Sequence, residues 1–455
     1  MLYGVKDRPP VGKIILFALQ QLLSILAGTI TLPLIVGNGM SQSAALVGAA
    51  IGTLVYLLIT KFKSPVFLGS SFTYLGSMAA AFAGAATAAI GYVGLLMGAI
   101  LAGLVYVILS IIVHFTGSNW VSKLMPPVVI GPVVAIIALT LAPNAITNIT
   151  LGNVTTSVDG ILANPYICLG CGIITFLTII VVSRFAKGML KLIPFIIGIL
   201  AGFCVAALLT GIGYWTNTDI LKIVDFSPFI NMKWVPDFTF LHIYQGIKDF
   251  KDGADFLKYF GLIAVSYVPV AFAVFAEHIA DHKNISFIIG EDLLKDPGLS
   301  RTLMGDGVGS MIGAVFGGCP NTTYGESVSC VAFSKNASVI TIIVTSAMAI
   351  AMSFFGPLMA FFASIPSCVI GGLSICLYGF IASSGLQMLK DVDLRDGKNI
   401  AVVATILVVG VGGLVIRFAY FEFSPVACAF AFGVLINLLV NIKKKPKTPE
   451  EEPKD

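Results

Sequence analysis

Pro320-Asn321-Thr322-Thr323-Tyr324-Gly325-Glu326 interrupts one of the most apolar parts of this chain. It follows an uncharged stretch that begins at Gly307, and it ends on a carboxylate. Proline, asparagine and two β-branched threonines are poor material for continuing a helix. A second interruption, Leu68-Gly69-Ser70-Ser71-Phe72-Thr73-Tyr74, is built alike. Each holds two small hydroxyl residues followed by an aromatic: Ser70-Ser71-Phe72 in one, Thr322-Thr323-Tyr324 in the other.

The rest of the chain sets these two interruptions in a membrane. It is 57% hydrophobic and 11% charged, with a mean hydropathy of +0.97, against about 25% charged residues in a soluble domain. An all-α polytopic membrane protein uses such a composition. The net charge of +4 is spread over many loops, which argues against a nucleic-acid partner. A span needs about 20 apolar residues. Fourteen segments are expected, near 13–35, 43–60, 65–83, 90–113, 124–143, 163–183, 190–214, 259–281, 305–318, 325–334, 337–356, 360–384, 399–416 and 423–442. The interruptions then fall in the third and the tenth. Seven is odd, so these two spans cross the bilayer in opposite directions, as in an inverted repeat.

Charge supports an even count. With the N-terminus inside, 21 of the 27 Lys and Arg fall on the cytoplasmic side, and five of the other six lie in one long outer loop, 215–258. Long loops weigh little in this rule. Both termini are expected inside. The outer loop, with Trp215 and Trp234, is expected along the interface, and the tail 443–455 is expected to be disordered.

Of the 23 Asp and Glu, nearly all sit in short polar gaps. Glu277, which ends the run Leu262 to Ala276, and Glu326 do not. A carboxylate at membrane depth costs roughly 2.5 kcal/mol or more and marks a candidate substrate or proton site. Non-helical backbone there is tolerated only inside protein or beside a water-filled cavity, and paired interrupted spans point to a transporter site. Close helix packing by small residues is the ordinary alternative; two matched segments, one ending in a Glu, weigh against it. Such a site offers carboxylate acceptors at Glu277 and Glu326, backbone donors near Phe72 and Gly325, and flat faces from Phe72 and Tyr324. No Lys or Arg lies at that depth, so a multiply charged anion fits poorly. A small planar neutral molecule with alternating N–H and C=O groups, such as a nucleobase, fits well. Asp281, four residues after Glu277, shares its helical face. The two could carry a proton or hold a cation; alternatively, Asp281 is interfacial and pairs with Lys283.

Three further motifs have bland readings. His278 and His282, with Asp281, resemble a metal-binding face, but Glu277 precedes the first His, whereas H-E-x-x-H places it after, so an intramembrane metalloprotease is a distant alternative. Cys168-Leu169-Gly170-Cys171 has redox spacing but lies in an apolar span, where packing is the simpler role. Asn148-Ile-Thr and Asn153-Val-Thr fit the glycosylation pattern, and polar turns explain them as well.

Leu68-Gly69-Ser70-Ser71-Phe72, Ala276-Glu277-His278, Asp292-Leu293-Leu294-Lys295-Asp296-Pro297-Gly298-Leu299, Pro320 to Glu326 and Leu377-Tyr378-Gly379 occur in the order of a known family. On these residues the chain resembles the nucleobase–ascorbate transporters, or nucleobase–cation symporters, and among them the bacterial uracil permeases. The resemblance implies fourteen spans in two inverted seven-span repeats, with short strands in spans 3 and 10. A core domain would comprise 1–116 and 259–357, and a gate 117–215 and 358–442, separated by the outer loop 216–258. It implies that Glu277 and Glu326 accept ring N–H groups and that the N–H groups of Phe72 and Gly325 donate to the carbonyls. Phe72 and Tyr324 would pack on the ring, Ser71 would lie beside it, and Tyr378 would line the pocket from the gate. Glu277 and Asp281 would handle the proton. The implied protein is no enzyme and needs no cofactor or metal; it imports a nucleobase with a proton across a bacterial inner membrane, and a homodimer through the gate is a family expectation.

The chain departs from the family in places. Gln20-Gln21 replaces Gln-His, Asp281 replaces a His, and Ser327, Ser329 and Ser334 replace the Asn, Gly and Thr of the signature after Glu326. This stretch is expected to border the pocket, which leaves xanthine or another purine, and sodium coupling, as alternatives. Thr322-Thr323-Tyr324-Gly325 leans toward uracil. An anion transporter or a channel of similar fold is a more distant reading, because an anion site has little use for Glu326.

Overall fold

A computed structural model describes residues 1–441 except 118–125, 157–159, 162, 188–189, 191–192, 391, 419–420 and 424. The expected disordered tail lies outside the described residues. The first half runs α1 (Val11–Val36), α2 (Gln42–Ile59), β1 (Leu68–Ser70), α3 (Leu75–Ala83), α4 (Ala88–Thr116), α5 (Pro127–Asn148), α6 (Pro165–Phe185) and α7 (Pro194–Trp215). A short helix, α8 (Thr239–Lys248), lies in the connecting segment and packs on α4. The second half runs α9 (Gly253–Ile289), α10 (Leu299–Gly317), β2 (Asn321–Thr323), α11 (Gly325–Ser334), α12 (Val339–Ser353), α13 (Gly356–Ala363), α14 (Ser367–Gln387), α15 (Gly397–Val411) and α16 (Pro425–Val440).

Among the described residues, eight helices are long and apolar enough to cross a membrane alone. The other six expected segments are shorter or more polar. A 15-residue helix such as α15 rises only about 22 Å, short of the roughly 30 Å hydrocarbon core. α12 and α13 are separated by a 77° bend, so the expected span 360–384 begins later, at Ser367. Asn153 explains that start: its Oδ1 accepts from Ser367 N and Ser367 Oγ, each at 2.9 Å, and its Nδ2 donates to Ile365 O. That asparagine caps a helix, which accounts for its polarity at that turn.

The helix pairing repeats with inverted order. α1 packs on α12 as α4 on α9, α2 on α12 as α4 on α10, and α6 on α7 as α15 on α16; α2 packs on its own counterpart α10, and α5 on its counterpart α14. In lipid, burial of apolar area does little to join helices, so close backbone approach over small residues takes its place. The α2–α10 seam shows it: a Cβ on Gly52 would stand 2.7 Å from Gly309 O, and one on Gly309 would stand 2.7 Å from Gly52 O. Gly309→Val is therefore expected to force these helices apart, at about 1–3 kcal/mol for overpacking. Its melting in detergent should fall, whereas Gly170→Ala, which meets no atom within 4 Å, should melt like the parent; equal melting of all three would refute the tight seam.

Candidate functional site

The two interruptions meet. β1 and β2 pair antiparallel with Leu68 opposite Thr323, Gly69 opposite Thr322 and Ser70 opposite Asn321. Ser71 N donates to Pro320 O at 2.9 Å and Tyr324 N to Phe67 O at 3.2 Å, which extends the ladder at both ends. Strands this short satisfy few backbone groups, so side chains from neighbouring helices complete them. Thr53 of α2 accepts from Leu68 N and donates to Leu68 O. Ser310 of α10 accepts from Asn321 N, and Asn321 Nδ2 donates to Gly48 O. Tyr324 OH donates to Ser70 O at 2.8 Å. Its ring lies where a Cβ of Gly69 would be, so glycine at 69 lets that aromatic cross the strand pair.

Each strand leads into a short helix, β1 through the turn Phe72–Tyr74 into α3, and β2 directly into α11. The first N–H groups of a helix lack intrahelical partners and carry the positive end of its dipole. Phe72 and Gly325 occupy those positions. Between the two helix starts is a cavity of about 110 Å³, lined by Ser71, Phe72, Thr73, Glu277, Thr322, Tyr324, Gly325 and Glu326 on one side and by Val134, Leu377, Ile381 and Met388 of α5, α14 and the turn after it on the other. Glu277, about two-thirds of the way along α9, accepts from Thr73 Oγ1 at 3.2 Å. Glu326 occupies the first turn of α11 and is exposed to the cavity. Ser71 Oγ is buried without a hydrogen-bond partner.

This is a small, mostly apolar chamber with two carboxylates and two helix N-termini converging on it. A family model described as "Permease family" matches residues 12–417. The chain belongs to the nucleobase–ascorbate transporter family. It is 38% identical to the uracil permease of Bacillus caldolyticus over 96% of this chain and 94% of that one. Its identity to the uracil permease of Bacillus subtilis is 37%, over 99% and 96%. Among solved structures it is similar to the transmembrane domain of a cyanobacterium bicarbonate transporter, BicA, with a TM-score of 0.60 and 14% identity over 94% of this chain and 97% of that one. At that identity the likeness concerns the fold alone. The chain is a multi-pass membrane protein of two inverted repeats.

Most site residues expected in this nucleobase–ascorbate transporter come together: Ser71, Phe72, Glu277, Tyr324, Gly325 and Glu326 all line the cavity. Tyr378 does not. It is buried, and its neighbour Leu377 lines the cavity instead, because successive residues on a helix point about 100° apart. Ser327, expected beside the pocket, turns the other way. Its hydroxyl accepts from Gln21 Nε2 at 2.5 Å and from Phe67 N at 2.9 Å, so this serine and Gln21 together hold the approach to β1. Ser329 is exposed, and Ser334 Oγ accepts from Asn336 N.

Asp281 is not an interfacial partner of Lys283. α9 continues two turns beyond it, and Asp281 Oδ2 accepts from Thr323 Oγ1 of β2 at 2.9 Å. Asp306, a carboxylate that sequence reasoning passed over, is 1% exposed. Its Oδ2 accepts from His278 Nδ1 at 2.6 Å and from Thr322 Oγ1 at 3.2 Å. It stands among glycines five residues after Arg301 and so reads as the end of a polar gap, but α10 begins at Leu299. Each hydroxyl of Thr322-Thr323 is thus tied to a different acid, on α10 and on α9.

The suggested metal face is otherwise engaged. His282 Nδ1 donates to His278 O, Tyr56 OH faces His282 Nε2 at 2.8 Å, and Thr302 Oγ1 faces His278 Nε2 at 3.1 Å. The rings stack on each other at 4.1 Å, while Asp281 is committed to β2. Cys168 and Cys171 are both buried in α6, in keeping with packing.

Proposed function

We propose that this protein imports a nucleobase, uracil first, together with a proton, by alternating access across a bacterial inner membrane with both termini in the cytoplasm. The observation that carries the reading is the convergence of Glu277, Glu326 and the helix-start residues Phe72 and Gly325 on one small cavity. Uracil presents ring N–H groups alternating with carbonyls. The carboxylates accept from the N–H groups, the two helix starts donate to the carbonyls, and Phe72 covers the ring. The two relatives compared above are named uracil permeases, which supports uracil over a purine.

Glu277 and Asp281 handle the proton. They stand one helical turn apart and are held by Thr73 and Thr323 of the two broken spans, so a change in their charge acts on the elements that grip the substrate. In alternating access α1–α4 and α9–α12 form the core and move against the gate of α5–α7 and α14–α16, whose Val134, Leu377 and Ile381 form the opposite wall. A homodimer would form through the gate.

The test is uptake of radiolabelled uracil into proteoliposomes under an inward proton gradient, compared with an inward sodium gradient. Proton-driven accumulation is expected. Accumulation driven only by sodium would overturn the proton assignment, and no uptake with verified insertion would withdraw uracil.

A further inference from the structure

A second cavity adjoins the site. It is larger, about 270 Å³, and lies between α3 and α9 on one side and α5 and the start of α16 on the other, lined by Thr73, Gly76, Ser77, Thr140, Ser266 and Pro425 among others. Thr73 is shared with the cavity that holds Glu277 and Glu326. The two chambers extend in opposite directions from it. One reaches toward Met388 at the end of α14, the other toward Ser266, which lies nearer the start of α9 than Glu277. The Thr73–Glu277 hydrogen bond therefore stands at the partition. The distribution of Lys and Arg places the start of α9 on the outer side.

The lining of this cavity is chemically unlike that of the first. It includes no acid, base or imidazole. Its four hydroxyls spend their hydrogens inside the protein: Thr73 on Glu277, Ser77 on Ser266 O, Thr140 on Ile137 O and Ser266 on Leu262 O. What remains for a guest is hydroxyl lone pairs on apolar walls. Such a chamber accepts N–H groups weakly and donates nothing, so it disfavours anions and does not hold a neutral ring tightly. A neutral hydrogen-bond acceptor holds an N–H group less strongly than a charged one, and the two carboxylates stand on the far side of Thr73.

Resting on the reading of the protein as a nucleobase importer, we infer that the cavity between α3, α5, α9 and α16 is a second, low-affinity subsite for a small uncharged planar heterocycle. It is an antechamber from which substrate passes Thr73 to reach Glu277 and Glu326.

Gly76 gives access to the test, because it is exposed and a Cβ there meets nothing within 4 Å. A large side chain at 76 fills the antechamber without displacing backbone. Gly76→Trp should lower the uracil uptake rate by about tenfold or more while equilibrium uracil binding in detergent stays within about threefold, the signature of an obstructed path and an intact binding site. Unimpaired uptake by Gly76→Trp would overturn the inference, and so would equal loss of uptake and binding. Gly76→Cys separates blockage from misfolding. In a Cys204→Ser background, which removes the exposed native thiol, its uptake is compared before and after an impermeant, bulky methanethiosulfonate added outside. Block by the reagent, with modification slowed by saturating uracil, is expected; modification that leaves uptake unchanged, or that uracil does not slow, overturns the subsite. Absence of uracil binding and uptake in the parent chain would instead defeat the underlying function.

Discussion

Glu326→Gln removes uracil uptake and leaves the fold intact. Glu326 lies in the first turn of α11, exposed to the cavity, where the helix dipole favours a negative charge. Glutamine keeps the shape but replaces half of an acceptor-only group with a donor. In the proposed binding mode, a ring N–H that faces carboxylate oxygen would then face a neutral amide, and one orientation would set two donors against each other. Losing a hydrogen bond to a charged group costs about 1.5–3 kcal/mol, which is about a 10- to 150-fold loss of affinity. Uptake at low substrate concentration should fall to background. Melting in detergent should stay within a few degrees of the parent, because what ties Glu326 to α1 is its backbone carbonyl, which accepts from Ser24 Oγ, and the substitution keeps it. Uptake above half the parent rate would remove Glu326 from the site.

Asp306→Ala acts from behind the site and damages fold and function together. Asp306 Oδ2 gathers His278 of α9 and Thr322 of β2 at one buried point. Alanine leaves the imidazole N–H and the threonine hydroxyl unpartnered in a dry interior, at about 1–3 kcal/mol for each stranded group. β2 then loses its anchor to α10 at the residue paired with Gly69 of β1. The melting temperature should drop by several degrees and uracil binding should be lost. Asp306→Asn retains one acceptor oxygen and should recover part of the stability. Parent-like melting and binding in Asp306→Ala would show that the strands hold without this anchor.

The carboxylates divide into those visible in sequence and those hidden. Glu277 ends a long uncharged run and Glu326 ends another, so hydropathy exposes both. Asp306 stands close to Arg301 among glycines, at the very edge of the expected span 305–318; only the start of α10 at Leu299 shows it two turns inside a helix. Asp281 shares a helical face with Glu277 by spacing alone, but its partner Thr323 lies 42 residues away. The resemblance places Tyr378 and the stretch that holds Ser327 at the pocket, but a family likeness locates a side chain only to within about one position, and one position on a helix turns it about 100°.

Residue types and their order along the chain settle the class and the plan. Apolar runs must be helices where water cannot satisfy the backbone, an odd separation of two interruptions makes them antiparallel, and a buried acid must have a use. The tertiary structure alone decided the partners. It set Ser70 opposite Asn321, closed Gly52 on Gly309, sent Ser327 to Gln21 and Asp306 to His278, and left Thr73 between two chambers. These contacts join residues far apart in the chain, several of them by more than 200 positions. Their directions depend on how helices rotate and approach one another, which no local pattern of residue types encodes.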